Sequence, residues 1–207
     1  DQSILAALQQ GLDRYPDPLA TAFRQRAAEV LQVDPDWIVC GNGSDDILTI
    51  LTRSFVGHGE TIRLPYPSYI LYRTLAQIQG AKWQEVSFLD DWKLGEEFSR
   101  PTDDLKLVFL ANPNSPSGTR LSAEQVMEIA DRLPCPLVVD EAYAEFADSD
   151  CLSLVRQQEK IIITRSMSKS YSLAGLRFGY LVAQPQIAAI ISKVKDSYNC
   201  DALAIAG

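Results

Sequence analysis

Trp37-Ile38-Val39-Cys40-Gly41-Asn42-Gly43-Ser44-Asp45-Asp46-Ile47-Leu48 is the stretch that decides the fold. Its first four residues are large and apolar or β-branched and predict a short strand. Two glycines in the next three positions permit a tight turn. Asp45 and Asp46 then open a helix whose apolar residues Ile47, Leu48, Leu51 and Phe55 share one face.

The same alternation runs on toward the C-terminus. Strands are predicted at 61–64, 83–86, 106–110, 137–139, 161–164 and 178–182, with helices at about 69–79, 122–133 and 185–198. Short β-branched runs separated by helices read as an α/β fold, with a mostly parallel central sheet covered by helices. Residues 88–102 form the one long loop, and no internal repeat or low-complexity tract interrupts the pattern. Toward the N-terminus, Leu5, Leu8 and Leu12 set a helical stripe that Tyr15-Pro16-Asp17-Pro18 interrupts. Asp17 reads as an N-cap and Pro18 as the first residue of a helix to about Leu31. Residues 1–30 therefore read as a helical segment leading into a main domain at 31–207, and the start at Asp1 resembles the interior of a gene product.

Composition narrows the function. The 207 residues carry 19 basic and 27 acidic side chains, a formal net charge of −8, which repels nucleic acid and anionic membrane surfaces. A phosphorylated ligand would need the few cations and helix N-termini gathered at one place. Four cysteines lie far apart, at 40, 135, 151 and 200, and His58 is the single histidine. That set predicts no zinc or other metal site. His58, in the turn Gly57-His58-Gly59-Glu60, also makes a Ser-His-Asp triad a poor expectation. Unpaired cysteines point to a reducing cytoplasm. There is no leader-like start and no apolar run of 18 residues.

In an open α/β sheet, ligands sit beyond the carboxyl ends of the strands, and the chemically interesting residues follow the predicted strands. In Ser166-Met167-Ser168-Lys169, with Arg177 eight residues on, a lysine flanked by hydroxyls precedes a guanidinium. That suits an imine-forming lysine beside an anion site, and equally a solvated polar loop. Asp140 ends a buried strand and wants a cationic partner such as a protonated pyridine nitrogen, or serves as a helix N-cap. Tyr143, three residues later, is within reach of the same ring. Gly41 to Asp45 would offer helix amide groups to an anion, but lacks the lysine of a Walker A loop and the third glycine of a dinucleotide fingerprint. Tyr69 and Tyr72 are either ring-stacking residues or core helix residues.

The ordered set Gly-x-Gly-Ser-Asp, Pro-x-Tyr-x-x-Tyr, Asn-Pro-Asn-x-Pro-x-Gly, Asp-Glu-Ala-Tyr and Ser-x-Ser-Lys with Leu-Ala-Gly-Leu-Arg-x-Gly resembles the fold type I pyridoxal-phosphate aminotransferases. Within them it looks most like the histidinol-phosphate aminotransferase branch. The resemblance implies pyridoxal 5'-phosphate as cofactor, Lys169 as its covalent attachment and Asp140 as the partner of the pyridine nitrogen. It implies Tyr143 and Asn114, or Ser115 in place of Asn114, at the ring's phenolic oxygen, and Tyr69 stacked on the ring. Ser44, Asp45, Ser166, Ser168 and Arg177 would surround the phosphate. Tyr15 would reach the neighbouring site of a homodimer. A small-molecule amino donor and a 2-oxo acid acceptor follow, histidinol phosphate and 2-oxoglutarate for that branch. The C-terminal small domain is expected outside these residues. An aromatic amino acid aminotransferase or a phosphothreonine-type decarboxylase would share every motif. A non-enzymatic sensor domain would require a basic helix-turn-helix segment, and none is visible.

Overall fold

A computed structural model describes residues 2–9 and 12–207; the reading of Asp1 as an internal start, and positions 10 and 11 of the leucine stripe, lie outside the described residues. Seven strands make one sheet: β1 (Ile38–Gly41), β2 (Thr61–Tyr66), β3 (Lys82–Ser87), β4 (Leu105–Ala111), β5 (Leu137–Asp140), β6 (Ile161–Ser166) and β7 (Gly179–Val182). Their spatial order is β1-β7-β6-β5-β4-β2-β3. β2 to β6 pair in parallel, and β7 runs antiparallel to both β6 and β1. The mostly parallel α/β sheet expected from the sequence is therefore the fold.

Helices α1 (Gln2–Gln9), α2 (Thr21–Leu31), α3 (Ser44–Phe55), α4 (Leu71–Gln79), α5 (Ala123–Arg132), α6 (Pro185–Val194) and α7 (Ala202–Ala206) accompany it. Alternation along the strands separates two apolar layers. Leu107, Phe109, Val138 and Ile162 pack on one face with Ile47, Leu48 and Leu51 of α3 and Tyr72 of α4. Val108, Leu110, Val139 and Ile163 pack on the other with Val126 and Ala130 of α5 and Ala28 of α2. Each fully buried aliphatic side chain contributes roughly 1.5–3 kcal/mol, so strands buried on both faces are as apolar as observed.

Three boundaries differ from the sequence expectation by three residues or more. α2 begins at Thr21 rather than Pro18 because the Asp17 carboxylate accepts from the amides of Leu19 and Thr21, closing a turn before the helix. Leu12 lies in a bend beyond α1, so the stripe is shorter than its leucine spacing implies. α6 stops at Val194: Lys195 turns extended and its ammonium bonds Pro18 O, Asp196 O and Asn199 Oδ1. α7 has five residues, too few to leave a period in the sequence. Among the described residues, no helix is long and apolar enough to cross a membrane.

Candidate active site

The parity of the strands that sorts the core also sorts the polar residues at their carboxyl ends. Continuing past Val138 and Ile162, the face under α3 and α4 receives Asp140, Thr164 and Ser166, and the opposite face receives Arg165. The connection from β6 to β7 carries Lys169 and returns through Arg177, which brings both to the same sheet edge. A cavity of about 240 Å³ opens there. Its lining includes Ser44, Asp45, Tyr69, Asp140, Tyr143, Ser166, Ser168, Lys169 and Arg177, with Tyr72 and Ser115.

Asp140 is 6% exposed. Oδ2 accepts from the Tyr72 hydroxyl at 2.8 Å, and Oδ1 accepts from the Thr164 hydroxyl at 3.1 Å and the Ala142 amide at 3.2 Å. Burial raises its carboxyl above the ordinary range, while these donors pull the other way. Among the described residues no cation lies within ion-pair distance of it. A buried carboxylate facing a cavity with three neutral donors and no cation is the environment that a protonated ring nitrogen completes. Tyr72 is itself fully buried, with its ring stacked on Phe109 at 4.7 Å, and burial raises its hydroxyl well above the usual phenol range.

The anion end is built by close backbone approach. Gly43, with φ +87°, precedes the first turn of α3, whose N-terminus has no side-chain cap bond. Such a helix end presents amide donors and a partial positive charge. Arg177 leans over it with loose contacts: 3.5 Å to Ser168 Oγ, 3.4 Å to Ala174 O and 3.9 Å to Asp45. Its guanidinium thus keeps donors in reserve for an anion. Ser166 Oγ accepts from the Ser168 amide at 3.1 Å and shapes the turn before Lys169. Gly179 packs directly under this end, where an added Cβ would meet Ser44 N at 2.5 Å and Gly43 C at 2.7 Å.

Lys169 Nζ stands 5.1 Å from the centroid of the Tyr143 ring. Tyr69 is edge-on to Tyr72 with centroids 5.6 Å apart, and its hydroxyl donates to Asp45 at 3.2 Å. A carbonyl at the amine, an aromatic ring beside Tyr69, a ring nitrogen at Asp140 and a phosphate at Arg177 would all be served by one cavity.

Two expected site residues stand elsewhere. Asn114 is 3% exposed and does not line this cavity: its Oδ1 accepts from Ser68, and its Nδ2 donates to Pro67 O and Ser117 Oγ. The amide is spent holding two loops together, and the neighbouring Ser115 faces the cavity in its place. Tyr15 is 80% exposed and stacks on Tyr198 at 4.5 Å, apart from the cavity lining. Sequence reasoning left Tyr72 undecided and overlooked Thr164, although the strand parity that places Asp140 also places Thr164. It also passed over Glu141 and Arg165, which form a buried ion pair with Nη2 to Oε2 at 2.7 Å. Burial pushes the Glu141 carboxyl up to about 7, against the pull of Arg165. The four cysteines are buried and unpaired, and burial lifts the thiols of Cys135, Cys151 and Cys200 to about 11, 12 and 12.

The family model for aminotransferase class I and II matches residues 1–206. The chain belongs to the class I and II aminotransferase family. The chain is 60% identical over 205 residues to the histidinol-phosphate aminotransferase of Rhodopirellula baltica, covering 99% of the chain and 57% of that protein. It is 47% identical over 203 residues to the histidinol-phosphate aminotransferase of Geotalea uraniireducens, covering 98% and 58%. The crystal structure of histidinol-phosphate aminotransferase from Sinorhizobium meliloti, in complex with pyridoxal-5'-phosphate, matches at a TM-score of 0.86 and 29% identity, over 100% of the chain and 59% of that structure. The chain thus spans somewhat under three fifths of the length of these relatives.

Proposed function

We propose that this chain is the cofactor-binding large domain of a pyridoxal-phosphate-dependent transaminase. In this reading histidinol phosphate donates its amino group to 2-oxoglutarate, giving imidazole-acetol phosphate and glutamate in histidine biosynthesis. The observation that carries it is Asp140: a buried carboxylate with no cationic partner among the described residues, in one cavity with Lys169 and Arg177. Identity of 60% to a histidinol-phosphate aminotransferase favours this substrate over an aromatic amino acid or phosphothreonine.

Pyridoxal phosphate, when bound, supplies an electron-poor ring that accepts the electrons of a broken C–H bond. Asp140 keeps the proton on the ring nitrogen, because a buried carboxylate favours the adjacent positive charge. Lys169 would hold the cofactor through its amine, and its free amine would serve as the base that takes the proton from the donor carbon and returns it. Tyr143 and Ser115, which line the same cavity, would donate to the ring's phenolic oxygen, and Tyr69 would cover a ring face. Ser44, Ser166, Ser168, Arg177 and the first amides of α3 hold the phosphate, with Asp45 orienting Arg177 and Tyr69. Tyr15, exposed on the surface, serves the neighbouring site of a homodimer. Buried, unpaired thiols favour the cytoplasm.

Assay of the purified full-length protein with histidinol phosphate, tyrosine and phenylalanine as donors to 2-oxoglutarate tests the substrate. The expected result is a kcat/KM for histidinol phosphate well above both others; a preference for an aromatic donor would overturn the substrate assignment and leave the cofactor chemistry in place.

A further inference from the structure

Arg165 points away from the cavity, yet it touches the segments that carry both of the cavity's reactive side chains. Its Nε and Nη2 bond Glu141 Oε2 at 2.9 and 2.7 Å, its Nη1 bonds Glu145 at 3.0 Å, and its Nη2 bonds Asp150 at 2.9 Å. Glu141 follows the end of β5, and Glu145 lies in the short 3-10 turn Ala144–Phe146. Tyr143 sits between them, so its backbone is tied to Arg165 on both sides. Arg165 itself immediately precedes Ser166, whose hydroxyl shapes the turn into Lys169.

A buried ion pair is a poor source of stability, since well-packed apolar residues do as well or better. What the guanidinium offers that an apolar group does not is a planar fork of donors in fixed directions. Here that fork joins three segments contributed by β5, the turn and the loop beyond it to β6. Burial works against the Arg165 charge, but Glu141 and Asp150 outweigh it and hold the guanidinium protonated.

We infer that Arg165 is a positioning residue for the cofactor site: from the opposite face of the sheet it fixes Tyr143 relative to Lys169. This rests on the proposed roles of Tyr143 and Lys169 in holding pyridoxal phosphate.

The test uses the full-length protein with Arg165→Lys, which keeps the charge and loses the fork, and with Glu145→Ala, which frees the turn while leaving the buried Arg165–Glu141 pair intact. Glu145 is partly exposed, so its variant decides the matter even where Arg165→Lys does not fold. In cofactor-free Glu145→Ala, amide exchange across residues 142–147 should rise while β5 and β6 stay protected. Pyridoxal phosphate affinity, read by absorbance titration, should fall about tenfold. The pH midpoint of the visible band should move upward, the direction also expected of Tyr143→Phe, which would remove a donor to the ring oxygen. Glu145→Gln, which keeps an acceptor for the guanidinium, should recover most of both. Wild-type affinity and midpoint in Glu145→Ala would overturn the inference, as would a uniform loss of protection with no shift in midpoint. Wild-type protein that takes up no cofactor would overturn the underlying site reading, and is recognised by failing before any substitution is made.

Discussion

Tyr72 of α4 donates its hydroxyl to Oδ2 of Asp140 at 2.8 Å, across 68 residues of sequence. The bond fixes the carboxylate from the helix side while Thr164 and Ala142 hold Oδ1 from the sheet side. Tyr72→Phe keeps the ring stacked on Phe109 and removes only the donor. It should cost about 1 kcal/mol in urea unfolding and weaken pyridoxal phosphate binding several-fold, because the carboxylate is then held by Oδ1 alone. Unchanged affinity in a folded variant would remove Tyr72 from the site.

Asp140 and Glu141 give the cofactor-free protein a definite pH dependence. Both have folded-state pKa values raised by burial, Glu141 from 4.5 to about 7. Between the unfolded and folded values the native state binds more protons than the unfolded state, so unfolding free energy falls as pH rises through that window. Glu141 should therefore make the stability of the cofactor-free protein decline from about pH 4.5 to about pH 7 in urea titrations, a decline that Glu141→Gln removes. Asp140 adds a decline of the same sign above its ordinary range, which Asp140→Asn removes. A decline over that range that persists unchanged in Glu141→Gln would contradict the assignment of Glu141.

Two glycines make opposite demands at the anion end. In Gly179→Ala the new Cβ would lie 2.5 Å from Ser44 N and 2.7 Å from Gly43 C, backbone atoms that cannot swing aside. The expected loss is about 3 kcal/mol in thermal or urea unfolding. In Gly43→Ala the nearest atom is Arg177 Nη2 at 2.6 Å, the end of a flexible side chain, at φ +87°. That variant should cost about 1–2 kcal/mol and, by displacing Arg177, reduce affinity for pyridoxal phosphate more than for pyridoxal.

Asn114 and Ser115 separate structure from chemistry at adjacent positions. Asn114→Ala removes three hydrogen bonds from a buried loop junction and should destabilise by about 2–3 kcal/mol. Ser115→Ala should change stability by less than about 0.5 kcal/mol while lowering cofactor affinity. The reverse pattern, measured by urea unfolding and absorbance titration, would return the ring-oxygen role to Asn114.

That pair also marks where the sequence stops being legible. Periodicity located the strands because burial on both faces leaves an unbroken apolar run, as in Leu137 to Val139, and the carboxyl-end rule then pointed to Asp140, Lys169 and Arg177. Side-chain orientation inside a loop has no such period, so nothing in Asn112 to Gly118 told Asn114 from Ser115. Partners distant in sequence were equally hidden: the commitment of Tyr72 to Asp140, or of Arg165 to Glu141, Glu145 and Asp150, exists only once α4, β5 and β6 are assembled. Arg165 belongs to β6, which is buried along its whole length, and a buried guanidinium demands a counter-ion, but the strand expected at 161–164 stops one residue short of it.

The proposal that Lys169 carries the cofactor is tested most directly by borohydride reduction of the full-length protein with pyridoxal phosphate, followed by peptide mass mapping. The reduced cofactor should be found on the peptide containing Lys169, and Lys169→Ala should lose the adduct, the visible band and turnover together. Covalent cofactor on another lysine, or a Lys169→Ala protein that still transaminates, would contradict it.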